Sequence, residues 1–402
     1  MAPSAEPLTS IEICAGAGGQ AVGLHAAGFK HLALVEIDKH AVETLKLNLR
    51  DRAGWDYERE HCKVLSIDVK DFKPLSEIEG LEREELALLA GGVPCPPFSI
   101  AGKQLGADDE RDLFPTMLNL VEDLRPKAVM IENVRGILEP DHKFKGYREQ
   151  IVQRLRSAGY RFCGWKVLEA GDFAVPQLRP RAILVMIRSD VYRGFDWPEP
   201  NDQPVTVANA LQKTMRNRYT AYKRTLSDPL DVQEAEAAYQ RWLRKAKQGS
   251  IAPTLVGGSK KHGGADLGPT RAKKAWAALG VDGMGVANDM DKVVPQRDLL
   301  SDTGPMLTVR QAAIIQGFPE NWEFYGGKTA RYRQVGNAFP PLVAEAVGRA
   351  IAEALNRTGP VLPDPEEALN DGSLLTRSLL PTQEANPSGS HGVSDEESTL
   401  VG

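Results

Sequence analysis

Apolar and polar positions alternate along residues 10–190, so that short apolar runs are separated by longer amphipathic segments. Residues 39–49 illustrate the second type, because Val42, Leu45 and Leu49 fall on one face of a helix. This succession favours an α/β fold with a doubly wound, mostly parallel sheet. The predicted strands are 10–14, 32–36, 64–67, 86–90, 128–131, 161–168 and 182–187, and the predicted helices are 19–27, 39–49, 112–124 and 147–158.

The pattern changes after a proline-rich segment at 197–204 and becomes regular again near residue 303. The intervening region contains one charged helical stretch, 231–248, and a glycine-rich piece, 257–264. Helices are then predicted at 309–316 and 342–355, before Ser, Pro, Gly and Glu become dominant and predict disorder. We therefore expect an α/β domain at 8–194, a smaller domain at 195–302, a return to the first domain at 303–357, and a disordered acidic tail at 358–402.

Composition excludes several classes of protein. The 402 residues are 42% hydrophobic and 26% charged, as in ordinary globular chains. No apolar run is long enough to span a membrane, and the first residues do not resemble a signal peptide. The four cysteines are scattered, which argues against structural zinc and disulfides. We expect a cytoplasmic protein with no metal, no membrane partner and, by default, a monomeric state.

Charge is distributed unevenly along the chain. Residues 209–275 contain 14 Lys or Arg against 5 Asp or Glu, a local balance of +9, whereas residues 361–402 contain 1 Arg against 8 acidic residues. The net charge of −5 therefore hides a basic segment that is suited to a polyanion.

A glycine-rich turn follows the first predicted strand and includes Gly16, Gly18 and Gly19. Glycines between a strand and a helix let a ligand approach the backbone closely. Glu36 ends the second strand, where a carboxylate commonly binds ribose hydroxyls, and Asp68 ends the third. These features predict a cofactor that contains a nucleoside, and they do not separate NAD from S-adenosylmethionine.

A thiol and a carboxylate lie on the turns after two further strands. Cys95 follows Pro94, and Glu132 precedes Asn133. Turns at the carboxyl ends of parallel strands line the ligand crevice of an α/β sheet. A thiolate that adds to carbon 6 of cytosine makes carbon 5 nucleophilic, and a carboxylic acid at ring nitrogen 3 assists that addition.

Two later motifs add candidate ligands for the same site. In the segment 175–181, Arg179 and Arg181 alternate and are predicted to point to one face, where they could bind a phosphate or a base carbonyl. In the segment 332–341, Gly336 and Asn337 are predicted to form a turn at the start of a helix.

Taken in order, these segments resemble the DNA (cytosine-5)-methyltransferase family of the bacterial type, from about residue 10 to residue 351. The resemblance implies a Rossmann-like class I methyltransferase fold with a target-recognition domain at 195–302. It also implies S-adenosylmethionine as cofactor, duplex DNA with a flipped-out cytosine as substrate, and a loop at 99–112 that closes over the base. A cognate restriction endonuclease is a further partner that it suggests.

The resemblance assigns roles to individual residues. It implies Cys95 as nucleophile, Glu132 at ring nitrogen 3, Asn133 as support, and Arg179 and Arg181 as ligands of the base and nearby backbone. The implied cofactor-binding residues are Cys14, Gly16, Ala17, Gly19, Glu36, Ile37, Asp68, Val69, Pro94, Leu113, Asn337 and Ala338. Two of them depart from the family pattern, since Cys14 replaces an aromatic residue and Ala338 replaces a frequent serine.

Three alternatives remain at the level of sequence. A transfer-RNA cytosine-5 methyltransferase shares the fold, but its typical Cys-Phe-Thr segment is missing here and the long recognition region favours duplex DNA. A nicotinamide-dependent dehydrogenase explains the glycines and Glu36, and leaves Cys95 and Glu132 without a role. A non-catalytic DNA-binding protein is disfavoured by the same two residues.

Overall fold

The computed structural model describes residues 7–94, 112–201, 203–257 and 265–363. Cys95, the predicted loop up to residue 111 and the chain beyond residue 363 lie outside these ranges. The chain up to Leu362 forms one compact unit, and of the second unit, Pro363–Gly402, only Pro363 is described. Within the described ranges, no helix combines the length and the apolar character that crossing a membrane requires.

The strands of the described chain form one seven-stranded sheet in the order β3-β2-β1-β4-β5-β7-β6. The first five strands pair in parallel, and β7 runs antiparallel between β5 and β6. The predicted doubly wound, mostly parallel sheet is confirmed. The strands are β1 Thr9–Ile13, β2 Lys30–Val35, β3 Lys63–Leu65, β4 Leu88–Gly92, β5 Ala128–Val134, β6 Tyr160–Glu169 and β7 Pro180–Arg188.

Helices connect the strands and build the region between residues 203 and 363. Each helix predicted from the sequence forms, with small shifts of its ends, whereas the helices Asp56–His61, Pro74–Glu77, Val207–Lys223, Thr270–Ala278, Pro295–Asp298 and Lys328–Asn337 were not predicted. The helices are α1 Gly19–Ala26, α2 Lys39–Asp51, α3 Asp56–His61, α4 Pro74–Glu77, α5 Phe114–Leu124, α6 Lys145–Ser157, α7 Val207–Lys223, α8 Pro229–Gln248, α9 Thr270–Ala278, α10 Pro295–Asp298, α11 Val309–Ile315, α12 Lys328–Asn337 and α13 Pro341–Asn356.

The sheet is buried on both faces, which explains why its central strands are almost continuously apolar. Along β4, Leu89 packs into a cluster with α5 and α6, whereas Leu88 and Ala90 pack into a second cluster with α1 and α13. Helices therefore cover both sides of the sheet. The carboxyl ends of the parallel strands remain at one edge, where the candidate site residues lie.

Helix α1 packs unusually close to the chain at the start of α13. A Cβ atom added at Gly19 or Gly23 would overlap the backbone carbonyl oxygen of Phe339 or Pro341, respectively. Small residues at these positions let the two backbones approach closely, which brings the glycine turn before α1 next to the chain that follows α12.

The described part of residues 195–302 has no hydrophobic core separate from its surroundings. Leu211 and Met215 of α7 share one buried cluster with Val309 and Ala312 of α11 and with Tyr332 of α12. Arg218 reinforces this packing by donating hydrogen bonds to the Met306 carbonyl at 2.9 Å and to Gln311 Oε1 at 2.7 Å. The basic segment at residues 209–275, called the basic region below, is thus anchored to the helices that border the candidate site.

Candidate active site

The glycine turn after β1 has a backbone that only a few residues tolerate. Cys14, Gly16 and Gly18 have φ angles of 52°, 55° and 87°, in the left-handed region. A Cβ atom at Gly18 would lie 2.7 Å from the Trp322 ring, whose Nε1 donates a 3.0 Å hydrogen bond to the Ala17 carbonyl. No side chain caps the amino terminus of α1, so its first backbone N–H groups are available to a ligand.

Glu36 connects this turn to the end of β2. Its carboxylate accepts hydrogen bonds from the backbone N–H groups of Gly16 at 2.7 Å, Ile37 at 2.9 Å and Asp38 at 2.8 Å. A carboxylate has about four acceptor positions, so roughly one remains for a ligand hydroxyl. The side chain therefore holds the turn in place and can still bind a ribose.

A cavity of about 500 Å³ opens over the turn, between the start of α2 and one face of α12. It brings together predicted residues from four separate segments of the chain: Cys14, Gly16, Ala17, Gly19, Glu36, Glu132, Asn337 and Ala338. The predicted cofactor residues that are described but do not line it are Ile37, Asp68, Val69, Pro94 and Leu113. Their roles stay predictions.

Those outlying residues differ in their surroundings, and Asp68 has a local hydrogen bond of its own. Ile37 is 65% exposed beside Glu36, and the Asp68 carboxylate accepts a hydrogen bond from the backbone N–H of Lys70 at 3.0 Å. Leu113 is the residue immediately before α5. Asp112, at the end of the predicted loop, accepts a 2.5 Å hydrogen bond from the Tyr147 hydroxyl.

Glu132 lies where β4 and β5 run side by side, directly opposite Gly92. A Cβ atom at Gly92 would be only 2.8 Å from Glu132 Oε2, so the carboxyl group rests against the bare backbone of β4. Both residues line the cavity. Cys95 comes three residues after Gly92 in the sequence and lies outside the described residues.

The electrostatic setting of Glu132 favours retention of a proton. Its Oε1 is 2.7 Å from Arg181 Nε, and both side chains are 13% exposed. Burial raises the pKa of Glu132, and the positive charges of Arg181 and Arg179 partly oppose that rise. The carboxyl is therefore able to act as an acid toward a ligand that enters the cavity.

Arg179 is a buried cross-link. Its two terminal nitrogens donate to the carbonyl oxygens of Leu255 at 2.6 Å and Gly336 at 2.8 Å, while its Nε has no partner among the described residues. Burial lowers the pKa of Arg179 to about 9. The side chain thus connects β7 to the basic region and to α12, and its predicted contact with a base stays a prediction.

Asn133 links the end of β5 to the chain that follows β4. Its Nδ2 donates to the Val93 carbonyl at 2.8 Å, and its Oδ1 accepts from the Val134 backbone N–H at 2.8 Å. The end of β5 is thereby tied to Val93, the residue directly after β4. This geometry is consistent with the supporting role that the sequence predicts.

The prediction of a Gly-Asn turn at a helix start is wrong. Gly336 and Asn337 form the last residues of α12, and the chain turns only afterwards, between Ala338 and Pro341. Two consecutive prolines, which cannot continue a helix from the preceding residues, determine where the chain turns. The Ala338 carbonyl accepts a hydrogen bond from Gln316, which links the turn to the end of α11.

Several cavity residues were not predicted from the sequence. Thr329, Ala330, Arg333 and Gln334 line the cavity from α12, and Asp38 and His40 line it from the start of α2. The available signal was the four-residue spacing of Thr329, Arg333 and Asn337, which places them on one helical face. It was overlooked because α12 itself was not predicted.

The strand order and a cavity at the carboxyl ends of the parallel strands define a Rossmann-like α/β protein. The model of the C-5 cytosine-specific DNA methylase family matches residues 8–353. The chain belongs to this family, and its enzymatic class is DNA (cytosine-5)-methyltransferase. The family resemblance found in the sequence is thereby confirmed, and the dehydrogenase alternative is not supported.

Relatives and a solved structure agree with this assignment. The chain is 48% identical to the Type II methyltransferase M.NaeI of Lentzea aerocolonigenes, over 88% of this chain and 77% of that protein. It is 45% identical to the Type II methyltransferase M.NgoMIV of Neisseria gonorrhoeae, over 87% and 98%. The structure of the Entamoeba histolytica methyltransferase EhMeth, 16% identical, superposes with a TM-score of 0.57 over 88% of this chain and all of that chain, and supports the fold.

Proposed function

We propose that the protein transfers a methyl group from S-adenosylmethionine to carbon 5 of a flipped-out cytosine in a specific sequence of duplex DNA, with Cys95 as nucleophile and Glu132 as acid. The observation that carries this proposal is the position of Glu132, a buried carboxyl of raised pKa on the cavity wall. Glu132 lies opposite Gly92, and Gly92 is only three residues before Cys95 in the sequence.

The cavity has the properties that S-adenosylmethionine requires. Its volume of about 500 Å³ falls in the range of small-molecule sites. Glu36 keeps an acceptor position for a ribose hydroxyl, and the turn at Gly16, where a Cβ atom would meet nothing within 4 Å, allows close approach to the backbone. When bound, the cofactor supplies a methyl group activated by a sulfonium, and the residues that line the cavity would hold it beside Glu132.

The protein's own groups then account for the remaining chemistry. The Cys95 thiolate forms a bond to carbon 6 of cytosine, and the displaced electron pair is delocalised toward ring nitrogen 3, where Glu132 donates its proton. Carbon 5 becomes nucleophilic and accepts the methyl group. Loss of the carbon-5 proton to water and elimination of the thiolate restore the double bond, and the proton on nitrogen 3 returns to Glu132.

The basic region supports duplex DNA as the substrate. Residues 209–275 have a local charge of +9, and most of these cations lie on or next to α7, α8 and α9. Arg179 connects this region to the cavity through the carbonyls of Leu255 and Gly336. We propose that residues 195–302 recognise the target sequence while the target base enters the cavity.

The relatives support a role in restriction and modification. M.NaeI and M.NgoMIV are named Type II methyltransferases. We propose that this chain likewise protects a short DNA sequence from a cognate endonuclease in the cytoplasm, acting as a monomer.

The test is methyl transfer by the purified chain from S-adenosylmethionine with a radiolabelled methyl group. Unmethylated genomic DNA and unmodified transfer RNA are offered separately, with Cys95→Ala as the matched inactive variant. We expect label in DNA alone, released on digestion as 5-methylcytosine, and none with the variant. Label in transfer RNA alone would contradict the proposed substrate, and turnover by Cys95→Ala would contradict the proposed nucleophile.

A further inference from the structure

One face of α12 forms a wall of the cofactor cavity and contains an arginine that the proposed function has not used. Thr329, Arg333 and Asn337 recur every fourth residue and line the cavity. The neighbouring Gln334 is fully engaged, because it accepts from Thr44 Oγ1 at 2.6 Å and donates to the Tyr325 carbonyl at 2.8 Å. Arg333, in contrast to Gln334, forms no such hydrogen bonds with the described residues.

Arg333 has no partner among the described residues. Its Nε is buried without a hydrogen bond, and no carboxylate of the described ranges forms an ion pair with it. Arg331, only two residues earlier, also has a buried Nε without a hydrogen bond, but its terminal Nη2 pairs with Asp289 at 2.9 Å. Arg333 is half-buried, and a buried Nε donor without an acceptor is unfavourable, so an anionic ligand bound by the guanidinium in the cavity explains the position best.

The charge pattern of the cavity indicates which ligand this is. Of the described residues that line the cavity, Arg333 alone has a permanent positive charge, and it shares the cavity with Glu36 and with the uncapped first turn of α1. The methionine part of S-adenosylmethionine has one carboxylate, and a guanidinium can bind a carboxylate through two parallel hydrogen bonds. The ribose hydroxyls, in contrast, suit the acceptor of Glu36.

We propose that Arg333 binds the α-carboxylate of S-adenosylmethionine and thereby sets the depth at which the cofactor lies in the cavity. This inference rests on the proposed function. A DNA phosphate is the other anion available to this enzyme, but the buried Nε and the shared cavity with Glu36 and Gly16 favour the cofactor.

The test is calorimetric binding without DNA, so that no turnover occurs. Two ligands are compared, S-adenosylmethionine and decarboxylated S-adenosylmethionine, which differ only in the carboxylate. The variants are Arg333→Gln and Arg333→Lys. The matched control is Arg349→Gln on α13, whose side chain is 56% exposed and pairs with Glu345 of the same helix.

We expect Arg333→Gln to lower the affinity for S-adenosylmethionine roughly 10- to 100-fold, which is the usual effect of removing a hydrogen bond to a charged group. Binding of the decarboxylated ligand should stay within about threefold of wild type, which also shows that the variant is folded. The affinity of Arg333→Lys for S-adenosylmethionine should lie between those of wild type and Arg333→Gln, because lysine keeps the charge and loses the paired donors. Arg349→Gln should bind both ligands like wild type.

Equal loss for both ligands would overturn the inference, because Arg333 would then only shape the cavity wall. Unchanged cofactor binding together with a loss of DNA affinity would also overturn it and assign the residue to a phosphate. If wild type bound neither ligand, the proposed cofactor itself would be wrong, and that result is distinct from either of the others.

Discussion

At the scale of single residues, the chemistry depends on how Glu132 is surrounded. Burial raises its pKa, whereas Arg181 at 2.7 Å and the more distant Arg179 favour the ionised form. The two influences keep the carboxyl hydrogen-bonded and oriented, and they leave it able to carry a proton. A carboxyl of ordinary pKa would be almost fully ionised at neutral pH and would be a poor donor to a ring nitrogen.

Glu132→Gln should slow the chemical step roughly 10²- to 10⁴-fold, the usual range for loss of an acid–base group. The amide has the same shape, so the affinity for S-adenosylhomocysteine should change little. Because the acid form of Glu132 is needed, wild-type activity should fall as pH rises through its raised pKa, and this limb should be missing in the variant. Single-turnover rates across the pH range check the prediction. A near-normal rate would assign Glu132 a structural role.

Arg179→Met should lower the free energy of unfolding by about 1–3 kcal/mol, because the carbonyls of Leu255 and Gly336 lose their donors. This range takes into account that the variant no longer buries the positive charge of the guanidinium, which by itself is stabilising. Urea unfolding measures the change. The control is Arg310→Met, because the Arg310 side chain is 65% exposed and its Nη2 forms only a long ion pair, 3.7 Å from Glu320 Oε2. The stability of this control should stay within about 0.5 kcal/mol of wild type. Unchanged stability with lost methylation would instead favour the predicted contact with the base.

At the scale of elements, the close packing of α1 against the start of α13 aligns the two sides of the cofactor cavity. The glycine turn precedes α1, and Asn337 and Ala338 precede α13. A displacement between these helices would therefore widen the cavity between the turn and the end of α12.

Gly23→Ala should destabilise the protein by about 1–3 kcal/mol or more, because the added methyl overlaps the rigid Pro341 carbonyl. Gly146→Ala, in the first turn of α6 where a Cβ meets no atom within 4 Å, is the matched control. It should be neutral or stabilising by up to about 1 kcal/mol, as helix propensity dictates. Thermal unfolding of both variants checks the pair, and equal behaviour would contradict the packing described here.

The sequence predicted the elements whose signals are local. The parallel strands are apolar runs between turns, and α2 has a clear apolar face, so both were predicted with nearly correct ends. Helix α12 was missed because its apolar pattern is weak and because Gly336-Asn337 suggests a turn. Tertiary contacts hold the face of α12 that contains Arg333 against the cavity, notably the hydrogen bond from Thr44 to Gln334. No local sequence pattern reveals such contacts.

Individual site residues divide in the same way. Glu36 and Glu132 could be predicted because they lie near the carboxyl ends of strands that meet at one edge of the sheet. The bonds of Arg179 to Leu255 and Gly336 join parts of the chain that are 76 and 157 residues away. Sequence spacing contains no information on such a contact.

At the scale of the whole molecule, the basic region and the cavity form parts of one compact unit. The shared cluster around Leu211 and Val309 and the cross-link through Arg179 hold them together. DNA bound to the basic region would therefore be presented to a cavity at a fixed distance.

DNA affinity should fall steeply with salt, because each phosphate contact releases condensed counterions. The logarithm of the association constant should decrease linearly with the logarithm of salt concentration, with a slope of about −0.9 per contact. Fluorescence anisotropy with a labelled duplex measures this slope, with S-adenosylhomocysteine binding as a control that depends little on salt. A flat response would contradict the basic region as the DNA-binding surface.

The most direct test of the central claim is base-resolution sequencing of 5-methylcytosine in a host that lacks cytosine methyltransferases. One culture expresses this chain and a second expresses its Cys95→Ala variant at equal level. We expect methylation at one short recurring sequence with the first and none with the second. Unmethylated DNA in both cultures, with folded protein that binds S-adenosylhomocysteine, would contradict the assignment of DNA cytosine methylation to this site.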